Sequence, residues 1–497
     1  MKTFLIQGVP PSVSQDGWWL SSSAPSNKQP TSDKAGKLGA EHLRLGLLIL
    51  SIALGDVLVW QVLPGLSLAV FGAALIIMAL IASGRKTSPT QLSLVAGLSL
   101  LVLMPLVELV QPLSLLVSFA GLSMILALIA GLHASELLRG ARRLWPLGVQ
   151  QTAKDAVGLF EAQSNQALQN RAQRMAFAWL MPLVLGAIFI LLLADANPVL
   201  LDWIERLPEV NMPNPARVAF WLCLVPLGWT VLSLIETRER LRRPAARKAQ
   251  AFRPVRQGFI NQASVTRALL LFNVVFALQT VMDIVYLYGG VGLPEGITYA
   301  QYAHRGAYPL LVTALLAGGF ALVTRKWVDG DKALRLLLMI WIAQNVALVV
   351  SSLVRLDLYV DIYGLTHLRM AAAIWMALVA TGLALVIWQI WRGHANAWML
   401  NRSAVLGVGV LYLSCFISFD AVIARHNLSM PVQSDTYYLC RLGDAAKPII
   451  AQAEQRGRSI CPGKNREIVA PADWREWGFR NWRARRSLDA VTAEVAF

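Results

Sequence analysis

The chain predicts an all-α protein: a polytopic integral membrane helix bundle of about 11 transmembrane helices, followed by a small helical extracytoplasmic C-terminal tail. Three observations lead there. Of the 497 residues 56% are hydrophobic and only 15% charged, with a mean hydropathy of +0.52, an apolar excess that a soluble core has no room to bury. Apolar runs near the length that crosses a roughly 30 Å hydrocarbon layer recur along the whole chain. Lys and Arg gather in alternate connections between those runs, as they do when basic loops are retained on the cytoplasmic side.

Residues 1–42, with SQDGWWLSSSAPSNKQPTSDKAGK at their centre, hold little that could be buried and predict a disordered cytoplasmic arm. Met1 to Ile6 offers too short an apolar stretch for a signal peptide, so the first span is expected to act as an uncleaved anchor. Spans are expected at about 43–60, 64–83, 92–110, 113–132, 175–194, 217–235, 268–290, 306–323, 335–353, 371–391 and 403–419. The first four, over 43–132, form two tight hairpins broken only at Leu63-Pro64-Gly65 and Gln111-Pro112. A cytoplasmic loop, 133–174, carries an amphipathic helix expected from Thr152 to Phe177. His133 and Glu136 open that loop as a solvated pair, with no second pair at metal-ligand spacing. Residues 175–419 form the main transmembrane domain. The tail, 420–497, reads as one helix from about Ser434 to Gln455 and a second from about Pro471, joined by a turn near Arg456 to Lys464. Trp474, Trp477 and Trp482 in the second suit either a headgroup layer or packing on the neighbouring helix.

Counting residues at the span edges, the N-terminal arm and the even-numbered connections hold 28 Lys and Arg, whereas the odd-numbered connections hold 5, namely Arg206, Arg217, Arg305, Arg355 and Arg369. This predicts a cytoplasmic N terminus and an extracytoplasmic C terminus. The net charge of +16 raises nucleic acid as a partner, but the basic residues track the membrane edges, so none is expected. The densest run, Arg238 to Arg256, is expected to rest on anionic lipid headgroups at about 1 kcal/mol per basic residue. The lipid bilayer is therefore the expected partner; nothing in the sequence names a protein partner, a cofactor or a metal. Cys223 and Cys415 fall in spans as small buried hydrophobes. Cys440 and Cys461 share the extracytoplasmic tail, where a disulfide would close a loop of about twenty residues and stabilise the tail by roughly 3 kcal/mol.

Polar residues in apolar spans cost several kcal/mol unless they face protein or water. Gln279, Asp283 and Tyr286 share one helical face, and Gln344, Ser351, Arg355 and Tyr359 share another, with Tyr363 and His367 continuing it. Tyr299, Tyr302, His304 and Arg305 follow the seventh span; Asp420, Arg425, His426 and Asn427 follow the eleventh. These spans exit on the same side, so their polar ends are expected to converge on one outward-facing pocket, with Asp283 or Asp357 held by Arg305, Arg355 or Arg369. The bland alternative is a set of ion pairs and hydrogen bonds that brace the bundle, each contributing about 0.6 to 2 kcal/mol.

Several stretches then carry a family likeness: Ala196-Asn197-Pro198-Val199; Thr298-Tyr299 with Tyr302-Ala303-His304-Arg305-Gly306; Arg355-Leu356-Asp357-Leu358-Tyr359 with Tyr363-Gly364-Leu365-Thr366 and Leu368-Arg369; and Phe419-Asp420 with Ile423-Ala424-Arg425-His426-Asn427. Over about residues 175–490 the chain resembles uncharacterised bacterial polytopic membrane proteins of the domain-of-unknown-function 4173 type. Ala307 departs from that pattern, which has a bulky residue there. The resemblance implies a membrane location and adds Thr366 to the candidate polar site; it implies no reaction.

No GxxxxGK[ST], HExxH, paired CxxC or GxSxG motif is present, which disfavours ATP-driven transport and zinc proteolysis by the usual devices. The expectation is a multi-pass protein of a bacterial cytoplasmic (inner) membrane whose polar outer site handles a lipid-linked or anionic envelope ligand. Two alternatives stand beside it: a secondary transporter or flippase-like protein, and a membrane sensor or assembly scaffold without catalysis. Whether any reaction is catalysed stays open.

Overall fold

The computed structural model describes residues 31–84, 88–165, 186, 214–242, 261–285, 299–328, 330–430, 435–462 and 467–493, with the backbone alone over 31–40, 159–165 and 299–311. These residues form helices and their connections, without a strand. In chain order the helices are α1 (Thr31–Val59), α2 (Leu66–Ser83), α3 (Pro89–Glu108), α4 (Pro112–Ile129), α5 (Ala134–Asn165), α6 (Pro215–Leu232), α7 (Leu234–Arg242), α8 (Gln262–Asp283), α9 (Tyr299–Val328), α10 (Lys332–Tyr363), α11 (His367–Arg392), α12 (Asn396–Ser414), α13 (Phe419–Ser429), α14 (Thr436–Leu439), α15 (Lys447–Gln455) and α16 (Phe479–Ala493).

Eight of these, α1 to α4, α6, α8, α10 and α11, are long and apolar enough to cross a membrane, and the pair α12 and α13 makes a ninth if it is one broken span. That differs from the eleven expected. The span at 175–194 lies outside the described residues apart from Gly186, and the span at 306–323 lies within α9, which is not among the eight. The eleventh ends early: α12 stops at Ser414 and the chain turns by 73° into α13. Leu100, Val274, Leu316 and Val405 stand exposed on otherwise apolar helices, the surface that a hydrocarbon solvent would cover.

Three further boundaries differ from the sequence reading. The first helix starts at Thr31, inside the arm expected to be disordered, while residues 1–30 lie outside the described residues. The helix expected from Thr152 starts at Ala134 instead, because the run from Ala134 to Val149 is itself amphipathic and accommodates Pro146. Near its start, Glu136 is 3.6 Å from Arg242 and accepts from the His133 backbone N–H at 3.4 Å, an ion pair rather than a metal site. No cluster of metal-ligating residues occurs among the described residues.

The chain divides into two compact units. One comprises residues 1–55, 77–85 and 145–237. Its contacts depend on small residues: Gly148 lies against the Thr230 side chain, and Gly228 lies where a Cβ would stand 2.6 Å from Ser51 Oγ. Trp229 Nε1 donates to Asp155 Oδ2 at 2.8 Å, and Arg44 pairs with Glu236.

The other unit comprises residues 56–76, 86–144 and 238–497. Its main core joins α8, α9, α10, α11 and α12 around Leu269, Ala317, Leu338, Trp341, Ile342 and Leu383. The Trp341 ring stacks on Phe272 at 4.9 Å and meets Phe276 and Phe320 edge-on, arrangements worth about 1 kcal/mol each beyond burial. Helices α3 and α4 pack closely because Gly121 leaves room for Val102, and Ser118 Oγ donates to the Val102 carbonyl at 2.7 Å.

The tail is not two helices. The single helix expected from Ser434 to Gln455 is interrupted after α14 at Cys440–Gly443, where Cys440 is joined to Cys461 across a Cα separation of 5.7 Å. A Cβ at Gly443 would stand 2.9 Å from Asp420 Oδ2. The second helix begins at Phe479, not Pro471; a 3₁₀ turn, Trp474–Glu476, and Gly478 precede it. Two small cores hold the tail together, one around Leu439, Ala446, Ile450 and Cys461, the other around Ala451, Ile468, Ala484 and Leu488.

This tail is fastened to the membrane-type helices of its own unit. The Leu66 N–H donates to the Trp477 carbonyl at 2.7 Å, the Leu63 N–H donates to Glu476 Oε1 at 3.4 Å, and Arg475 donates to the Val57 carbonyl. Gly65 is required there: a Cβ would stand 2.6 Å from the Glu476 carbonyl oxygen. Arg480 is buried, donating from Nε to Glu108 Oε1 at 3.1 Å and from Nη2 to the Cys415 carbonyl at 2.6 Å. Asp473 caps the 3₁₀ turn, and hydrogen bonds from the Arg475 side chain and backbone hold its carboxyl below the usual carboxylate range. Its contribution is therefore fully present above its ordinary value of about 4 and is lost as pH falls through the lower folded value. A carbon-13 titration of the Asp473 carboxyl is expected to give a midpoint below that of an unpaired aspartate, moving up in Arg475→Gln.

Candidate functional site

The candidate site begins with two facing helices. Asn261 caps α8, accepting from the Ser264 N–H at 2.8 Å, and Asp331 caps α10, accepting from the Ala333 N–H at 2.8 Å. From these starts the helical repeat puts Asn273 and Asp283 of α8 opposite Gln344 and Arg355 of α10, so the two helices run in the same direction. Asp283 and Arg355 form an ion pair with 1% and 5% of their side chains exposed, and Gln279 Nε2 adds a 2.9 Å bond to Asp283 Oδ1. Burial this deep makes the pair depend on both charges being present.

A seam of amides continues from that pair toward the middle of α10. Asn273 Nδ2 donates to the carbonyls of Leu269 and Leu337 at 2.8 and 3.0 Å, Gln344 Nε2 donates to the Asn273 carbonyl at 3.3 Å, and Asn345 Nδ2 donates to the Trp341 carbonyl at 2.8 Å. Their side-chain oxygens, Asn273 Oδ1, Gln344 Oε1 and Asn345 Oδ1, accept no hydrogen bond among the described residues. Buried acceptors of this kind are rare in folded interiors.

A second polar group sits where α10 passes into α11. Gly364 ends α10 with φ +75°, ψ 169°, and Thr366 caps α11. Arg369 folds back over this junction: its guanidinium lies 4.4 Å from the Tyr359 ring and donates to the carbonyls of Tyr363 and Gly364, complementing the negative end of α10. Asn427 of α13 holds the next residue from both sides, accepting from the Leu365 N–H at 2.6 Å and donating to the Leu365 carbonyl at 3.0 Å. A Cβ at Gly364 would stand 3.1 Å from Asn427 Oδ1. Gly364→Ala is therefore expected to destabilise the protein by about 2 kcal/mol through backbone strain and pressure on Asn427, measured as a lowered unfolding midpoint in lipid discs.

The tail completes this junction. The Tyr438 hydroxyl accepts from the His367 backbone N–H at 3.0 Å and lies 2.9 Å from His367 Nδ1, while His367 Nε2 lies 3.1 Å from Asp420 Oδ1. With its proton on Nε2 toward Asp420, the imidazole accepts at Nδ1 from Tyr438. A cavity of about 340 Å³ opens here, lined by Tyr363, Thr366, Arg369, Asn427, Asp435 and Tyr438 among others.

Among the described residues the expected single pocket is thus two groups and two outliers, Asp357 and Arg425. Asp283 and Arg355 are enclosed in the α8–α10 seam instead of facing outward, because each satisfies the other's charge. Tyr359, Tyr363, Thr366, His367, Arg369 and Asp420 gather at the α10–α11 junction. His367 does not continue the face of α10, since Gly364 ends that helix. Asp357 is exposed and makes no ion pair among the described residues. Arg425 lies at a different cavity, on the tail. Tyr299, Tyr302, His304 and Arg305 lie in the first turns of α9, and their side chains fall outside the described residues, as does Tyr286.

Sequence reasoning missed Asn273 and Asn345, which lie off the polar faces it traced: Asn345 follows Gln344 by one residue and Asn273 precedes Gln279 by six. Asp435 and Tyr438 were passed over because they fall in a segment read as one tail helix. Glu108 and Arg480 were missed because Glu108 ends an apolar run and Arg480 is one of many arginines.

These features define an all-helical protein of membrane-type architecture with buried polar groups between its long helices. The chain belongs to the family described as Domain of unknown function (DUF4153), whose model matches residues 45–453. This replaces the 4173 type that the sequence resembles, and the match reaches back through α1 to α5 rather than starting near residue 175. Neither a curated protein nor a solved structure matches the chain.

Proposed function

We propose that this protein is a multi-pass membrane protein that holds the polar head of an amphiphile, lipid-linked or anionic, at the α10–α11 junction. The cavity of about 340 Å³ beside Arg369, Asp435 and Tyr438 carries the reading. It is of a size that encloses a small headgroup, and its lining offers a cation, a carboxylate and neutral hydroxyl and amide groups, a mixture suited to a charged polar head. Bacterial inner-membrane residence, a cytoplasmic N terminus and an extracytoplasmic tail accompany this proposal, supported by the asymmetry of Lys and Arg between alternate connections. The basic run Arg238 to Arg256 is proposed to lie on anionic headgroups at the opposite face.

Native mass spectrometry of the full chain, purified with its adhering lipid, tests the reading. Wild type is expected to retain an amphiphile with a phosphate or carboxylate head, and Arg369→Gln to lower its occupancy about tenfold, the loss of roughly one charge-assisted bond. Equal occupancy in a folded Arg369→Gln variant would sink the proposal.

The amide seam favours a second reading, a secondary transporter. Asn345 lies near the middle of α10, a helix of 32 residues and thus about 48 Å long, and polar groups at mid-depth are what a translocation path needs. Uptake by proteoliposomes that is lost in Asn345→Leu, with the fold retained, would select it.

A further inference from the structure

A cavity of about 540 Å³ on the tail lies among α13, α15 and α16 and is lined by Arg425, Arg456 and Arg458. No carboxylate lines it, and none of the three arginines makes an ion pair among the described residues. The tail does not lack acids. Residues 420–497 hold nine Asp and Glu against twelve Lys and Arg, but the acids are engaged elsewhere: Asp420 with His367, Asp444 with Lys447, Asp473 with Arg475, and Glu454 with the Cys461 N–H. One arginine is held at the wall, since Arg458 Nη1 donates to the Leu428 carbonyl at 2.7 Å. Three like charges lining one cavity repel one another, and an anion between them is attracted by all three, which offsets that repulsion.

We propose that this cavity binds a phosphate-bearing group with at least two negative charges. Guanidinium forks match phosphate oxygens two at a time, a geometry that lysine cannot copy. Gln452 supplies a neutral donor on the same wall, while the Ser429 hydroxyl is committed to the His426 carbonyl at 2.7 Å, and Ile449 gives an apolar floor for whatever the phosphate carries. The site shares no residue with the α10–α11 cavity and does not depend on the function proposed there. The phosphate can arrive as a soluble compound or as a lipid headgroup, and the test separates the two.

The full chain is placed in discs of phosphatidylcholine and titrated with inorganic pyrophosphate by calorimetry; in parallel, its enrichment of phosphatidic acid from mixed phosphatidylcholine discs is measured by mass spectrometry. Saturable pyrophosphate binding that weakens about tenfold in each of Arg425→Gln and Arg456→Gln, but less than twofold in Arg441→Gln outside the cavity, supports a soluble phosphate ligand. Phosphatidic acid enrichment with the same dependence, without pyrophosphate binding, supports a headgroup. Arg456→Lys, which keeps the charge and the fold, is expected to retain only part of the affinity. The proposal is overturned if neither ligand binds, or if binding is indifferent to Arg425 and Arg456.

Discussion

Asp283→Ala is expected to lower the stability of the bundle by about 3–5 kcal/mol, the largest effect of any single substitution in the α8–α10 seam. The substitution takes the Asp283 carboxylate from beside the Arg355 guanidinium, which is only 5% exposed. Asp283→Asn should cost nearly as much, since an amide keeps the shape and the Gln279 hydrogen bond but not the charge. The informative variant is the double one: Asp283→Leu with Arg355→Met removes both charges at once and should recover most of the loss. Thermal unfolding of the four proteins in lipid discs checks this. A double variant no more stable than Asp283→Ala would show that the pair's surroundings, not its mutual attraction, set the cost. If all four unfold alike, the pair is not buried in the membrane-embedded protein.

Arg480→Ala is expected to release the tail from the membrane-type helices, again at about 3–5 kcal/mol. One guanidinium serves two partners there, the Glu108 carboxylate and the Cys415 carbonyl, and its removal leaves a carboxylate buried. Arg480→Lys should recover only part, because an ammonium on a flexible stem cannot span both acceptors. Arg483, half-exposed and 3.7 Å from the same carboxylate, should matter by less than about 1 kcal/mol. Limited proteolysis between residues 463 and 478 reads the release directly. Unchanged protection in Arg480→Ala would place the hold on the tail in the backbone contacts at Gly65 and Leu66.

The sequence was most legible where a physical penalty is steep. Apolar length marks the eight membrane-type helices, although α1 starts at Thr31 rather than 43 and α10 ends at Tyr363 rather than 353, and the four-residue spacing of Gln279 to Asp283 and of Ser351 to Arg355 marks the faces that meet, because a charge in hydrocarbon needs a partner. It was least legible where the deciding partner is remote in sequence. Glu108 and Arg480 are 372 residues apart, and nothing in either neighbourhood announces the other. The interruption at Cys440–Gly443 was missed since helical propensity describes a local preference, whereas the disulfide and the Asp420 carboxylate beside Gly443 are tertiary constraints. The single outward pocket failed for a simpler reason: spans that exit on one side need not bring their ends together, and Gly364 turns the chain before His367 can extend the face of α10.

The junction between the first hairpin and the tail also bears on how the chain is made. Leu63 and Glu476 are 413 residues apart, so the turn after α1 is synthesised long before the segment that pairs with it. Throughout the synthesis of every intervening helix, the Leu63 and Leu66 amides must be served by water, and Glu108 must do without Arg480. They gain their partners only when residues up to about 480 have emerged from the ribosome. A nascent or prematurely terminated chain therefore keeps a hydrated turn and an unclaimed acid, which docking of the tail covers.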